Sequence, residues 1–291
     1  MDYGICLTAV YPQAIEDSEL LISLIRKVAG DKLFQCVEYY FEGSIEEEIK
    51  IHEVIKECGL SSVYLAGFEI KRGKWSITAS DEQQRRDAVE LLKKQYEHAC
   101  RLGADKVVIL SGPVEENVPE EKVVEQARRS LQEIDIFCTE IIPEIALEFF
   151  PTKREPFLAL GNTEMVKKVY EHTDWKHIGI TFDTSHVAQI GEDVVTSFRT
   201  LMPWTHHLHL ANSMSADKTS PLYGDKHPLF TLENGDFSVE QIKTVYRQLQ
   251  EEGLLKNVEI CSVEVISRGD EESYYTEIVQ EASTIWERRN G

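Results

Sequence analysis

The feature that most constrains the fold is a regular alternation of short β-rich runs with longer amphipathic ones. Eight runs have the composition of strands: YGICLTA, LFQCVEYY, SSVYLAG, DKVVIL, EIALEFF, HIGITFD, HHLHLA and VEICSVEV. Apolar residues recur at spacings of three and four between them, which predicts helices over 17–29, 44–58, 82–102, 120–141 and 238–252. Eight strand–helix units are the number that closes into a (β/α)₈ TIM barrel. We therefore predict one α/β domain of this type over residues 1–291.

Glycine placement agrees with this prediction. A glycine follows four of the helical patterns, where a left-handed helix cap is expected: Gly30, Gly59, Gly103 and Gly253. The rival fold, an open doubly wound sheet, would carry a glycine-rich turn after its first strand. The segment there, TAVYPQA, contains no glycine. Closure of the sheet is favoured.

The net charge and the cysteine pattern indicate which binding partners and which redox state to expect. The formal net charge is −20, with 51 acidic residues against 31 basic ones, which disfavours nucleic acid and anionic membrane surfaces. The six cysteines are scattered without a C-x-x-C motif, as in a reduced protein. No apolar run approaches the ~20 residues of a membrane span. We expect a soluble cytoplasmic protein, and a barrel of this size could form a homo-oligomer.

Four potential metal ligands lie at the ends of four successive strand-like runs. They are Glu148 in IALEFF, Asp183 in GITFDTSH, His209 in HHLHLAN and Glu264 in CSVEV. Burying these groups is costly unless a cation compensates. Oxygen and imidazole donors without thiolate suit one divalent ion, with Mn²⁺ favoured and Mg²⁺, Co²⁺ or Zn²⁺ as alternatives.

Strand alternation places the neighbours of these ligands. If His209 points into the barrel, His207 does too, and His206 faces the helices. The residues two positions before the other three ligands are small: Ala146, Thr181 and Ser262. The interior should therefore have room for an ion.

A second group of polar residues follows the sixth and seventh strands. His186 comes three residues after Asp183, and the longest irregular stretch, 212–236, contains Asp225 and His227. A loop this long on the active-site face of a barrel is typical of a lid or binding loop. We expect His186, His207, Asp225 and His227 to bind substrate or a second metal ion.

Glu148, Asp183-x-x-His186, His207-x-His209 and Glu264, in this order, resemble the sugar phosphate isomerase and epimerase superfamily with xylose-isomerase-like barrels. It includes ketose 3-epimerases, hydroxypyruvate isomerase, inosose dehydratase and the apurinic endonucleases. The resemblance spans most of the chain. It implies that Glu148, Asp183, His209 and Glu264 hold the metal and that His186 contacts substrate.

Two departures from the family pattern bear on the substrate. Ketose 3-epimerases have an arginine six residues after the second histidine, and Ser215 stands there in this chain. Lys218 or Lys226 could replace it. The Asp225-x-His227 pair is similar to one at a second metal site of the endonucleases, but SSVYLAG and DKVVILSG lack the two histidines those enzymes take from strands three and four.

These residues predict a metal-dependent isomerase or epimerase of a small sugar, sugar acid or polyol. The ion would stabilise a metal-bound enediolate, Glu148 and Glu264 would move the proton, and His186 would steady the oxyanion. A dehydratase or decarboxylase of an oxidised sugar is the alternative, and a DNA-repair nuclease or a non-catalytic sugar-binding protein ranks below both. A substrate carboxylate or phosphate could pair with the basic residues of the loops: Lys153, Arg154, Lys218 and Lys226. The FEIKRGKWSIT loop, with Lys71 and Arg72 beside Trp75, could close over substrate.

Overall fold

Eight parallel strands form a closed barrel in chain order, as a computed structural model that describes residues 1–138, 143–151 and 157–287 shows. The strands are β1 (Asp2–Cys6), β2 (Cys36–Tyr39), β3 (Ser61–Tyr64), β4 (Lys106–Leu110), β5 (Glu144–Glu148), β6 (Ile178–Asp183), β7 (Thr205–Ala211) and β8 (Ile260–Glu264). β8 pairs with β1 and closes the ring. The predicted (β/α)₈ TIM barrel is confirmed.

Helices connect the strands and cover the outside of the barrel. They are α1 (Leu7–Val10), α2 (Ser18–Asp31), α3 (Ile45–Cys58), α4 (Gly67–Gly73), α5 (Glu82–Arg101), α6 (Glu120–Phe137), α7 (Thr163–Tyr170), α8 (Thr184–Ile190), α9 (Val194–Leu201), α10 (Val239–Glu251) and α11 (Glu271–Ile285). Short 3₁₀ turns lie at Pro12–Ile15, Met202–Trp204 and Leu254–Asn257. The helix predicted over 120–141 ends at Phe137, and residues 139–142 lie outside the described part of the chain.

Local sequence signals explain where helices begin and end. Ser44 and Glu47 form a reciprocal capping box at the start of α3, and Gly59 ends that helix with φ +67°. The predicted cap at Gly30 is wrong. The helix continues to Asp31, and Lys32 takes the left-handed conformation with φ +57°. The left-handed turn at Lys32 leads directly into two buried side chains, Leu33 and Phe34.

The barrel interior is packed in layers below the site. Lys106 and Glu144 pair at the amino ends of β4 and β5, and Gly4 faces Ser262 above them. A Cβ at Gly4 would lie 2.2 Å from the Ser262 hydroxyl oxygen, so this layer requires a glycine. The next layer joins Thr181 to His207 through Oγ1 and Nδ1, 3.1 Å apart. This filling leaves the carboxyl ends of the strands for functional groups.

His206 does not face the helices as strand alternation predicts. The register between β6 and β7 shifts after Ile180, which pairs with Thr205, whereas Thr181 pairs with His207. The bulge turns His206 toward Glu144, which bonds its Nδ1, and places its ring over Gly179. His206 therefore belongs to the polar cluster at the amino end of the barrel.

The helices in the described part of the chain include none with the length and apolar character needed to cross a membrane.

Candidate metal and substrate site

The four predicted ligands meet at the carboxyl ends of β5 to β8. One atom from each of Glu148, Asp183, His209 and Glu264 lies within 4.8 Å of the others. His209 Nδ1 is 3.0 Å from Glu264 Oε2, 3.3 Å from Glu148 Oε1 and 3.9 Å from Asp183 Oδ2. The structure thus brings together all four side chains that the sequence singled out.

Asp183 shows why this cluster fits a cation. Its Oδ1 caps α8, accepting hydrogen bonds from Ser185 N at 2.6 Å, Ser185 Oγ at 2.5 Å and His186 N at 3.1 Å. Its Oδ2 is buried and, within the described residues, has no hydrogen-bond partner, and the same holds for His186 Nδ1. Buried polar atoms without partners are costly. Asp183, Glu148 and Glu264 with His209 give three carboxylates and one imidazole, a donor set suited to a divalent ion.

Glu38, on β2, is a functional residue that the sequence reasoning missed. It is fully buried, with Oε1 2.9 Å from His207 Nε2 and Oε2 3.0 Å from His209 Nε2. Burial alone would raise its pKa, but the charges of His207 and His209 hold the pKa of Glu38 well below its usual range. The available signal was an acidic residue inside the apolar run LFQCVEYY, the same pattern that marked Glu148.

His207 is placed differently from the prediction. It is fully buried, and its two ring nitrogens contact Glu38 and Thr181 rather than the open site. Among the described residues that line the cavity above the cluster, His207 is absent. Its position one layer below His209, two residues along the same strand, makes it a support for Glu38 instead of a substrate or metal contact.

The loop 212–236 brings a second polar group to the site, as expected. Asp225 Oδ1 lies 2.6 Å from His227 Nε2 and 3.3 Å from His186 Nε2. Asp183, His186 and His227 also offer ligand atoms that lie within 4.8 Å of one another. The two groups share Asp183, so they form one continuous polar surface.

The two glutamates of the cluster have opposite electrostatic environments. Burial raises the pKa of Glu148, although His209 and His186 oppose the shift. Burial would also raise the pKa of Glu264, but the charges of His227 and His209 lower it to about 2. His227 in turn has a pKa raised to about 10 because the carboxylates of Glu264 and Asp225 outweigh its burial. Carboxyls whose pKa values are driven apart are typical of an acid and base pair.

A cavity of 260 Å³ lies over the cluster. Glu148, His209 and Glu264 are among its polar lining residues. Phe150 also lines it and packs on His186, with 3.8 Å between ring centroids. The size suits a ligand smaller than a drug-sized molecule.

The basic residues that the sequence proposed as substrate partners are not found in this cavity where the structure describes them. Ser215, where the family pattern has arginine, bonds Asp236 through its amide at 3.2 Å and its hydroxyl at 2.6 Å. Lys218 is exposed on the loop, and neither it nor Lys226 is among the lining residues. Lys153 and Arg154 lie outside the described residues. Among the described lining residues, Lys71 is the one lysine, and there is no arginine.

Comparison with known proteins identifies a family and a fold. A family model described as a xylose isomerase-like TIM barrel matches residues 29–282. An inosose dehydratase from Mesomycoplasma hyopneumoniae (strain 7448) is 31% identical over 90 residues, which cover 28% of this chain and 30% of that protein. The match therefore spans less than a third of this curated relative.

Several solved structures align with nearly the whole of this chain. A D-tagatose 3-epimerase-like protein aligns with a TM-score of 0.72 and 20% identity over 99% of both chains. The IOLI protein with a bound zinc atom aligns at 0.70, with 15% identity over 98% of this chain and 96% of that one. Endonuclease IV from Thermus thermophilus aligns at 0.64, with 16% identity over 97% and 98%. At such identities these likenesses describe the fold.

Proposed function

The chain belongs to the xylose isomerase-like TIM-barrel family, and from this premise we propose that it is a divalent-metal-dependent isomerase or epimerase of a small sugar, sugar acid or polyol. One observation carries the proposal. Two carboxylates, the buried Glu148 and the partly buried Glu264, approach the same imidazole nitrogen of His209 at 3.3 and 3.0 Å, at the floor of a small cavity.

Glu148, Asp183, His209 and Glu264 would hold the metal ion. Three oxygen ligands and one imidazole favour Mn²⁺, with Mg²⁺, Co²⁺ or Zn²⁺ as alternatives. The IOLI protein, which has this fold, binds a zinc atom in its crystal structure, and this supports a divalent ion here. When bound, the ion would supply positive charge to the carbonyl and hydroxyl oxygens of the sugar.

The two glutamates are assigned the proton transfers. Glu264, with its lowered pKa, is the carboxylate that would accept a proton from the carbon beside the carbonyl. Glu148, 3.3 Å from the same His209 nitrogen, is the carboxyl that would return a proton to that carbon. If the two act from opposite faces of that carbon, the configuration inverts and the product is an epimer.

The surrounding residues would orient the substrate. His186 is held between Asp225, 3.3 Å from its Nε2, and Glu148, 3.7 Å from its Nδ1, and would donate to a substrate oxygen that gains charge. Asp225 and His227 would bind hydroxyl groups, or together with His186 hold a second ion. Phe150 packs on His186 and keeps water from that side.

A lyase acting on an oxidised sugar is the second candidate. The 90-residue match to an inosose dehydratase favours it, because a dehydratase begins with the same removal of a carbon-bound proton. The two reactions differ in whether a hydroxide then leaves. A nuclease is disfavoured by the net charge of −20 and by the absence of histidine from the segments SSVYLAG and DKVVILSG.

Metal content and proton exchange test the proposal. Protein purified without chelator would be analysed by mass spectrometry, as wild type, Glu148→Gln and Asp183→Asn, with Glu48→Gln on α3 as a matched buried control. We expect about one ion per chain in wild type and control and a loss in the other two variants. In deuterated water, ketoses or sugar acids should then exchange a carbon-bound proton, and Glu264→Gln should abolish the exchange.

Two outcomes would contradict the proposal. One is a wild-type protein that stays metal-free after incubation with Mn²⁺, Co²⁺ or Zn²⁺. The other is proton exchange that persists after the metal is removed. A stoichiometry near two would assign the second ion to His186, Asp225 and His227, and release of water from the substrate would favour the lyase.

A further inference from the structure

Helix α4, directly after β3, brings a basic side chain to the mouth of the cavity. The helix sits tightly on β4, because a Cβ at Gly67 would lie 2.6 Å from Leu110 Cγ. Phe68 and Lys71, one turn apart, both line the cavity. Phe68 is fixed by stacking on Tyr40, with ring centroids 5.1 Å apart and planes at 9°. The mouth of the cavity is therefore formed by packed side chains, and it carries the positive charge of Lys71.

Asp225, which Lys71 contacts, does not depend on Lys71 to balance its negative charge. Its Nζ lies 3.4 Å from Asp225 Oδ2, and its side chain is 53% exposed. The other oxygen of Asp225 contacts both His227 and His186. If the ammonium swings away, the carboxylate keeps these two partners, so no buried charge is left unpaired. A half-exposed pair of this length contributes little to stability.

The neighbouring arginine is committed elsewhere. Arg72 bonds Glu42 and Glu69 on the outer side of α4. Among the described lining residues, the charged groups other than Lys71 and the histidines are carboxylates: Glu148, Asp225 and Glu264. A substrate with its own negative charge would be repelled by these groups unless that charge met a cation.

Resting on the proposed isomerase function, we propose that the substrate is a sugar acid whose carboxylate pairs with Lys71 while its carbonyl end reaches the four-residue cluster. One ammonium matches the single charge of a carboxylate, whereas a phosphate dianion is typically matched by several donors or an arginine fork. Apolar residues of the cavity wall would flank the carbon chain between the two ends: Leu65, Phe68, Val108, Leu110 and Ile266.

A panel of matched ligand pairs tests this inference on the metal-loaded protein. Each pair is a ketohexose and the acid that differs only in carrying a carboxylate at carbon 6, such as D-fructose and D-fructuronate. Calorimetry would measure binding to wild type, Lys71→Gln, Lys71→Arg and Lys74→Gln. Lys74 ends the same segment but is absent from the described lining residues, so its variant controls for the loss of one positive charge.

For at least one pair, we expect wild type to bind the acid about twofold to fivefold more tightly than the ketose, the effect of one partly exposed charge pair. Lys71→Gln should remove this preference, while Lys71→Arg and Lys74→Gln retain it. The preference should shrink as salt is added.

The inference is wrong if wild type prefers no acid in the panel, including the case where neither member of any pair binds. It is also wrong if Lys71→Gln keeps the preference, or if a ketose 6-phosphate binds more tightly than the acid through Lys71. Metal content and carbon-proton exchange, measured on the same samples, separate this failure from failure of the proposed function. A protein that loads metal and exchanges protons on neutral ketoses, but prefers no acid in the panel, would refute the sugar-acid inference and leave the proposed function standing.

Discussion

Glu38 and His209 are joined by a hydrogen bond 3.0 Å long between Oε2 and Nε2, beneath the candidate metal cluster. Because the lowered pKa keeps Glu38 ionised, its carboxylate can only accept, and His209 Nε2 must donate. This fixes the ring orientation so that Nδ1 faces Glu148, Asp183 and Glu264. A carboxylate behind a metal-binding histidine both orients the ring and increases its basicity.

Replacing Glu38 with glutamine tests this relationship. The amide keeps the shape but loses the charge, so we expect metal affinity to fall roughly 10- to 100-fold while the fold persists. Competition with a chromophoric chelator would measure affinity, and circular dichroism the fold. Glu48→Gln removes an equally buried carboxylate that pairs with His98 and Arg101 on the outer helices. This control should lose stability without losing metal affinity, and equal affinity losses in both variants would contradict the assigned role of Glu38.

Metal binding should release a proton from His209. Burial would lower its pKa, but the carboxylate of Glu38 and other nearby negative groups raise it well above its usual range. We therefore expect the metal-free ring to be protonated at neutral pH, so that an ion can bind Nδ1 only after that proton leaves. We expect about one proton released per ion and an affinity that rises with pH. Calorimetry in buffers of different ionisation enthalpy measures the release, and a binding heat independent of buffer would show that no proton leaves.

The two catalytic candidates should titrate differently in metal-free protein. Glu264 should remain ionised to about pH 2, and Glu148 should become protonated above the ordinary range for a carboxyl. A lowered pKa means that ionised Glu264 stabilises the fold above its unfolded value, and this stabilisation is lost as pH falls toward the folded value. The raised pKa of Glu148 has the opposite sign, because its contribution is lost as pH rises through the folded value.

At neutral pH, Glu148→Gln should therefore raise the Tm of chelator-treated protein, and Glu264→Gln should lower it. Carbon-13 spectra of labelled glutamate carboxyls would follow both titrations directly. Equal pH midpoints, or Tm shifts of the same sign in the two variants, would remove the basis for separate acid and base roles.

The site residues at the ends of strands can be predicted from the sequence because the pattern that marks them is local. A charged residue closing an apolar run is readable in IALEFF or CSVEV without knowing its partner. Glu38 lies in such a run too, but its partner His207 is 169 residues away, and nothing in the run shows that contact. The position of His206 depends on a bulge, which strict alternation cannot reveal. Lys71 was read as part of a loop, and only the packing of α4 on Leu110 places it at the cavity.

Substitutions at the amino end of the barrel should change the stability of the fold and leave the candidate metal site unchanged. Lys106 Nζ is buried, pairs with Glu144, and lies 2.7 Å from Glu259 Oε2. Lys106→Met would leave Glu144 without this cation, and we expect a loss of about 3 kcal/mol, the lower end for buried pairs, because Glu259 is two-thirds exposed. Metal affinity should be unchanged, since this face of a TIM barrel contributes stability rather than catalysis.

Chemical denaturation and metal titration of the same samples measure both quantities. Lys94→Met, at an exposed position on α5, is the matched control and should change stability by less than about 0.5 kcal/mol. A fall in metal affinity that accompanies the stability loss in Lys106→Met would mean that the layers of the barrel are coupled. The Thr181–His207–Glu38 contacts would then transmit the charge at the amino end of the barrel to His209.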